Sequence, residues 1–324
     1  MSVQNILNGE SIVETFKRTS LGGDYHAWRE DVTTGATPAP GALTGSWIDL
    51  RASQLAREFD DKDREAVEED LKRQEEVLES SLDSDEVILW FENDYFCQMN
   101  QTYLLSWYRQ HSQSLPRISI FDLKEDIFFG HLQPADFEKL HSDRVSVSQE
   151  IIALATRAWD AASSPDPLNL SAMLVSDTSA LPQLHRTLTC HLSRFPSVKN
   201  GLGRVENLVL EIAASGKWRF KDLFPAFSSR VPEYGFGDDH VWTSIRRLAT
   251  ARIPFLTISF PTSELRESSR FIEAEVTPTA VGLDALAGKA DYVSLNGIDQ
   301  WIGGVHINNV DTWRWDDVLQ SIAT

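Results

Sequence analysis

The run "EVILWF" at 86–91 carries no polar residue after its opening glutamate. A strand with one wet face alternates polar and apolar side chains, so an uninterrupted apolar strand needs cover on both faces. Helices on both sides of a parallel sheet supply that cover, because parallel strands are joined by long crossovers that lie over the faces. The chain around this strand therefore has to provide further strands and the helices between them.

It does so for about the first 145 residues. "SVQNIL" reads as a strand, and Ser11 to Arg18 then places Ile12, Val13 and Phe16 at helical spacing. "DYHAW" is a second short strand ending at Trp28, and Thr33 to Gly45 lacks periodicity and reads as loop. From Trp47 to Ser81 opposite charges recur three and four residues apart around sparse leucines and valines, the pattern of a surface helix pair. "NDYFCQMNQTYLLSWYRQ" forms a helix with Phe96, Met99, Tyr103, Leu104 and Trp107 on its apolar face, and "RISIFDL" is the next strand. The predicted fold class is α/β: an N-terminal Rossmann-like parallel sheet with flanking helices.

Past a loop at "FFGHLQPADFEKL" the pattern turns helical. Three segments fill Ser146 to Phe195, the middle one opened by "SPDP", and Pro196 to Gly203 is a polar break. "GRVENLVLEIAASGK", "FKDLFPAF" and "DDHVWTSIRRLATAR" then precede the strand-like "PFLTISF" and "FIEAEV". Three helices and a ribbon suggest a winged-helix-like α+β domain. A terminal Trp-rich helix is expected from Asp311. The predicted division is 1–145 as an α/β ligand-binding domain, 146–200 as a helical connector and 201–324 as the winged-helix-like domain.

Charge narrows the partners. Asp and Glu number 48 against 30 Lys and Arg, a net charge of −18, which repels phosphate backbones and argues against nucleic acid for the whole protein. Residues 199–252 run against that trend, with nine Lys/Arg and six Asp/Glu, but the helix carrying Arg246, Arg247 and Arg252 opens on two aspartates. No apolar run approaches the roughly 18 residues that span a bilayer, and no signal-peptide pattern opens the chain, so the cytoplasm is the expected location. Cys97 and Cys190 are too few for a disulfide framework or zinc cluster.

Ligands of open parallel sheets bind beyond the carboxyl ends of the strands. Three such ends are chemically distinctive. At Asn8-Gly9-Glu10-Ser11 the glycine permits close backbone approach and a helix N-terminus follows, while Glu10 or Ser11 could equally serve as its cap. At Trp28-Arg29 the guanidinium can grip a carboxylate or phosphate, or be satisfied by Glu30 and Asp31. At Glu92-Asn93-Asp94 the carboxylates follow the buried strand directly, with Asp94 also the natural N-cap of the next helix. Arg51 offers a second cation. The candidate catalytic residues are Glu92, Asp94 and Arg29; the candidate ligand-binding residues are Asn8, Gly9, Glu10, Ser11, Trp28, Arg51, Asn93 and Gln98. Paired carboxylates suit acid–base work or a divalent metal such as Mg²⁺, whereas no His/Cys spacing suits zinc. No nucleophile elbow, P-loop or dinucleotide fingerprint occurs. Cys97, one turn into its helix, reads as a small buried apolar residue or a thiol of lowered pKa, and His131, His185, His191 and His240 have no evident partners.

The succession "ILNGES", "WREDVTTG", "LRASQLA", "LWFENDYFCQMN", continuing through "DTSALPQLHRTLTCHLSRFPS", "GLGRVENLVLEI", "FGDDHVW" and "WIGGVHI", resembles the bacterial family catalogued as domain of unknown function eighteen thirty-five. The resemblance covers nearly the whole chain and implies no particular activity. It places Gly9, Ser11, Trp28, Arg29, Gly35, Arg51, Trp90, Glu92, Asp94 and Gln98 on the family's pattern. Asn5, Glu10 and Asn93 depart from it, standing where the pattern has His, Asp and His, so two imidazoles are missing. The expected function is binding of a small anionic ligand, nucleotide or phosphoester in type, in the N-terminal crevice, with hydrolase or transferase chemistry open. The alternative is a ligand-sensing regulator or interaction protein using the winged-helix-like domain.

Overall fold

The computed structural model describes residues 2–37, 45–59, 63–112, 114–123, 127–259, 269–308 and 313–323. Strand β1 (Val3–Asn8) leads through a 3-10 turn at Glu10–Ile12 into the short helix α1 (Val13–Phe16) and back to β2 (Asp24–Trp28). A two-residue strand β3 (Gly35–Ala36) falls within the stretch expected to be loop, of which residues 38–44 lie outside the described residues. Helices α2 (Gly45–Glu58) and α3 (Arg64–Ser81) form the expected charged pair, and β4 (Glu86–Trp90), α4 (Tyr95–His111) and β5 (Arg117–Ile120) follow. The sheet order is β2-β1-β4-β5-β6, parallel throughout except for the antiparallel edge strand β6 (Val145–Ser146).

Strand β4 explains its own composition. Val87 and Leu89, with Phe91 just beyond it, enter the large core built by α4 and the later helices. Ile88 and Trp90 enter a second core with Phe16, Phe121, Phe129 and Phe137 on the other face. Neither face meets water, so the positions from Val87 to Phe91 are all apolar. Asn5 sits within this sheet, donating to the carbonyls of Gly22 and Asp24 and accepting from Trp90 Nε1 at 3.0 Å.

The loop expected at "FFGHLQPADFEKL" is largely structured: a 3-10 turn at Phe129–His131, then α5 (Pro134–Ser142). Its signals were in the sequence, with Pro134 in the first turn and a capping box between Gln133 and Asp136. Helices α6 (Gln149–Ala162), α7 (Pro167–Met173) and α8 (Leu184–Leu192) match the three expected segments. Beyond them come α9 (Arg204–Ala214), β7 (Trp218–Arg219), α10 (Phe220–Arg230), α11 (Asp238–Thr250), β8 (Leu256–Ile258) and β9 (Glu275–Pro278), with the strands in the antiparallel order β7-β9-β8.

Helices α12 (Ala280–Leu286) and α13 (Tyr292–Asn296) precede a hairpin of β10 (Asp299–Gly303) and β11 (Val305–Asn308), and β10 also pairs in parallel with β3. The terminal helix expected from Asp311 does not form among the described residues. There, β12 (Arg314–Asp316) turns back into β13 (Ser321–Ala323), with Gln320 at φ 50°. Trp315 donates its backbone N–H to the Pro196 carbonyl and accepts from Val198, so distant extended chain captures the bonds a helix would have used. Among the described residues no helix is long and apolar enough to cross a membrane.

Candidate functional site

In the order β2-β1-β4-β5 the connections after β1 and into β4 leave to opposite sides of the sheet, so the carboxyl ends of these two parallel strands flank the crevice typical of ligand sites in open sheets. Asn8 ends β1, and Glu92 to Asp94 follow β4. The two segments meet through Cys97 in the first turn of α4. Asn8 Nδ2 donates to Cys97 Sγ at 2.8 Å, and Sγ lies 3.6 Å from Glu92 Oε2. Asp94 caps α4, its Oδ1 accepting from the Cys97 N–H at 2.9 Å, and Glu92 Oε1 accepts from the Phe129 N–H. Donor atoms of Glu92, Asp94 and Cys97 all lie within 4.8 Å of one another.

Glu92 and Asp94 form the floor of a cavity of about 230 Å³. Its walls come from the far end of the sequence: Phe227 and Ser228 of α10, Val231, Pro232, and the turn Gly235-Phe236-Gly237 before α11, with half-exposed Phe128 at the side. Gly235 has φ +63°, and a Cβ there would fall 2.0 Å from Asp94 Oδ1. The turn can lie against the carboxylate only without a side chain.

The electrostatics follow from that enclosure. Burial raises the Glu92 carboxyl to about 7, and the neighbouring Asp94 charge adds to the rise. Burial also raises Asp94, although its bonds to Cys97 oppose the shift. Two carboxyls this close titrate as a unit. The shared proton belongs more to Glu92, because Asp94 faces the positive end of α4 and the hydrogen bond between the two carboxyls lowers Asp94 while raising Glu92. Burial pushes the Cys97 thiol well above its usual value, which excludes the low-pKa reading of that residue. Among the described residues no Lys or Arg lines this cavity.

The other sequence-selected residues lie around this centre in different roles. Arg29 is partly exposed and pairs with Glu10 and, at 2.7 Å, with Asp70 of α3. Arg51 is fully buried: it binds Glu30 at 2.5 Å and donates to the carbonyls of Asp31, Thr34 and Ala36, tying the 30–36 segment to α2. Trp28 is buried with its Nε1 donating to Asn100 at 2.9 Å. Gly9, at φ 74°, donates its N–H to the Trp28 carbonyl, while Glu10 and Ser11 are exposed and neither caps the turn through its side chain. Asn93 donates to the Leu123 carbonyl and Gln98 to the Glu92 carbonyl at 2.7 Å, and both line a second hollow, apart from the carboxyl pair. Asn8, Glu92, Asp94 and Cys97 therefore come together, whereas Arg29 and Arg51 are engaged elsewhere.

Two histidines without evident sequence partners have them. His191 lies buried, its Nδ1 3.0 Å from the Tyr95 hydroxyl, and burial lowers it to about 3 with help from nearby Arg194. His240 Nε2 lies 2.9 Å from Asp31 Oδ2. Burial alone would raise Asp31, but the charge and hydrogen bond of His240, with bonds from Thr33 and Thr34, hold it far below the usual carboxylate range. The cavity walls at 227–237 were missed too, since nothing local ties them to residue 92. The one readable sign was Gly235 followed by Gly237 in a polar turn before a helix. No family model matches the chain, and no curated protein matches it either.

Proposed function

We propose that the cavity over Glu92 and Asp94 binds a small molecule and that the two carboxyls act on it as a general acid–base pair. One observation carries the reading: two adjacent carboxyls, Glu92 half-buried and Asp94 buried, line one cavity, and the first is raised to about 7. A group that gains and loses a proton near the working pH is the most effective proton-transfer catalyst. Ion-paired carboxylates show the opposite shift. Protonated Glu92 supplies the acid and ionised Asp94 the countercharge; after transfer, Glu92 is the base. Phe227 and Phe236 give the cavity apolar wall, with half-exposed Phe128 at its side.

This reading alters the expected ligand. A phosphate would enter a site whose floor is acidic and whose described lining has no cation, with Arg29 and Arg51 committed to other partners. A neutral or cationic molecule suits the charge better. A divalent cation would find Glu92 and Asp94 as donors, while Cys97, held protonated, suits Mg²⁺ poorly.

Infrared difference spectra of the carboxyl stretch, recorded across neutral pH, test the proposal. A band titrating near 7 that vanishes in Glu92→Gln is expected. If all carboxyls titrate in the ordinary range of about 4, the acid–base role fails. A thermal-shift panel of cationic, neutral and phosphate-bearing compounds tests the ligand class; stabilisation by phosphates alone would restore the anionic reading.

A regulatory reading is supported by the order of α9, β7, α10, α11, β8 and β9, which suits a winged helix, and by the cavity's use of α10 and the turn before α11 as walls. A ligand there would touch both regions. DNA contact finds less support. Arg246 and Arg252 donate to the carbonyls of Glu58 and Leu295, and Arg247 pairs with Glu206 and Glu58.

A further inference from the structure

A third hollow, of about 40 Å³, shares Phe236 with the cavity over the carboxyl pair and is otherwise separate from it. It forms where β3, the end of α2, the start of α9, α11 and β10 meet. A volume of this kind has room for roughly three waters or one small polyatomic ion.

Most of the charge around it is paired. Arg247 meets Glu206 at 2.9 Å and Glu58 at 3.5 Å, and His240 meets Asp31. Arg194, half-buried just past α8, is the exception, because among the described residues no carboxylate partners it. Its Nη1 donates to the Thr33 carbonyl and, at 2.8 Å, to the Tyr95 hydroxyl. The guanidinium lies 5.8 Å from the Tyr95 ring centre and 5.7 Å from that of Phe236, so two aromatic rings hold it in place. Its Nε and Nη2 bond to nothing among the described residues, and neither is sealed off in protein. Arg194 lines this hollow and a smaller one beside it, the space onto which those two groups open.

The N–H bonds of Nε and Nη2 form one two-pronged edge, which matches the two oxygens of a carboxylate. A cation withdrawn from water with no counter-charge beside it is unfavourable, so an anion at this edge would be stabilised. The Ser244 hydroxyl and the Gln300 amide line the same hollow, likewise unbonded among the described residues and likewise not sealed off. Glu58 and Glu206 in the lining disfavour a second negative charge on the ligand.

We propose that this hollow binds one small monovalent carboxylate, of formate or acetate size, with Arg194 Nε and Nη2 donating to its two oxygens and Ser244 and Gln300 donating from the lining. The charge of the lining sets aside sulfate and phosphate, and the volume sets aside larger acids. The site does not rest on the acid–base reading of Glu92 and Asp94.

Sodium acetate serves as the probe, with chloride as a monovalent anion lacking two oxygens and sulfate as a divalent one, all at a single ionic strength. Saturation-transfer NMR of the acetate methyl on the full chain should show saturable binding, with chloride displacing acetate only at about tenfold higher concentration. Arg194→Lys keeps the charge and loses the two-pronged edge, so it should weaken acetate by about tenfold. Ser244→Ala combined with Gln300→Leu leaves Arg194 in place and should also weaken acetate by about tenfold, the value of a hydrogen bond to a charged group. That double variant decides the matter if Arg194→Lys fails to fold. Absence of saturable binding, displacement by chloride at equal concentration, tighter binding of sulfate than of acetate, or acetate affinity unchanged in either variant overturns the proposal.

Discussion

Strand β4 has a glutamate withdrawn from water near each end, Glu86 buried and Glu92 half-buried, and the two are held in opposite ways. Glu86 at its start is about 1% exposed, yet its carboxyl is lowered to about 2. Burial works against that value, but Arg144 at 2.8 Å, Ser119 at 2.6 Å and Arg117 at 2.5 Å outweigh it. Glu92, two residues past the strand's end, is raised to about 7, with an acid beside it rather than a cation. The more buried of the two has the lower value, so burial alone does not set the direction of the shift. Neighbours decide whether a buried carboxyl is a fixed charge that joins β4, β5 and the segment before β6, or a group poised to exchange its proton.

The largest effect should come from stripping Glu86 of its cations. Replacing Arg117 and Arg144 together by leucine leaves a buried charge with one hydroxyl partner, and about 3–5 kcal/mol of stability should be lost at neutral pH. Adding Glu86→Gln should recover most of it, as read by urea unfolding. The native pair also has a pH signature. A depressed carboxyl contributes stability above its unfolded value near 4.5, and that contribution fades as the pH falls toward 2. If the double variant unfolds no more easily than the parent, the contrast between the two strand ends has no energetic content.

Glu92 should behave in the reverse sense. Its folded form holds a proton that the unfolded chain releases, so it lowers stability progressively from about pH 4.5 to about pH 7. Glu92→Gln removes that loss, and the variant should gain on the parent by up to about 3 kcal/mol as pH rises through this window. His191 works oppositely: held neutral to about 3, it adds stability as pH rises toward 6.5. The difference between variant and parent must therefore be measured, since the parent's own curve mixes the two. A difference independent of pH would mean that Glu92 is ionised throughout.

Gly235→Ala sharpens the same point from the opposite wall. The substitution forces a side chain into the left-handed region at about 1–2 kcal/mol and drives it into the Asp94 carboxyl. A stability loss of about 2 kcal/mol is expected, with a lower Glu92 titration as Asp94 is displaced. Loss of stability with an unchanged titration would show that the turn packs against Asp94 without governing the pair.

How much of this was legible follows the range of the interactions. The apolar run of β4, the helix of alternating charge at α3 and the carboxyls after β4 are local patterns, and the strand-end rule for open sheets put Asn8 and Glu92 in one crevice. The hairpin at 314–323 was not legible, because its backbone partners lie at 196 and 198. Arg51 looked like a ligand clamp for a similar reason: the carbonyls that surround it come from a bend at 31–36 whose shape no residue pattern announces. The cavity wall at 227–237 is the extreme case, set by packing of α10 and α11 onto a turn some 140 positions earlier in the chain.

The smallest expected effect separates the two causes of the Glu92 shift. Asp94→Asn keeps an oxygen to accept from the Cys97 N–H, so the cap of α4 persists and stability should change by about 1 kcal/mol or less. The negative charge, however, is gone. Burial is the larger cause of the raised titration and remains, while the second cause is removed. The Glu92 band should therefore move down from about 7 without reaching the ordinary glutamate value of about 4.3. A full return to that value would make the aspartate the whole cause, and the cavity would then be wetter than its lining implies. No movement would make burial the whole cause, and Glu86 and Glu92 would differ only through the arginines that the first of them has.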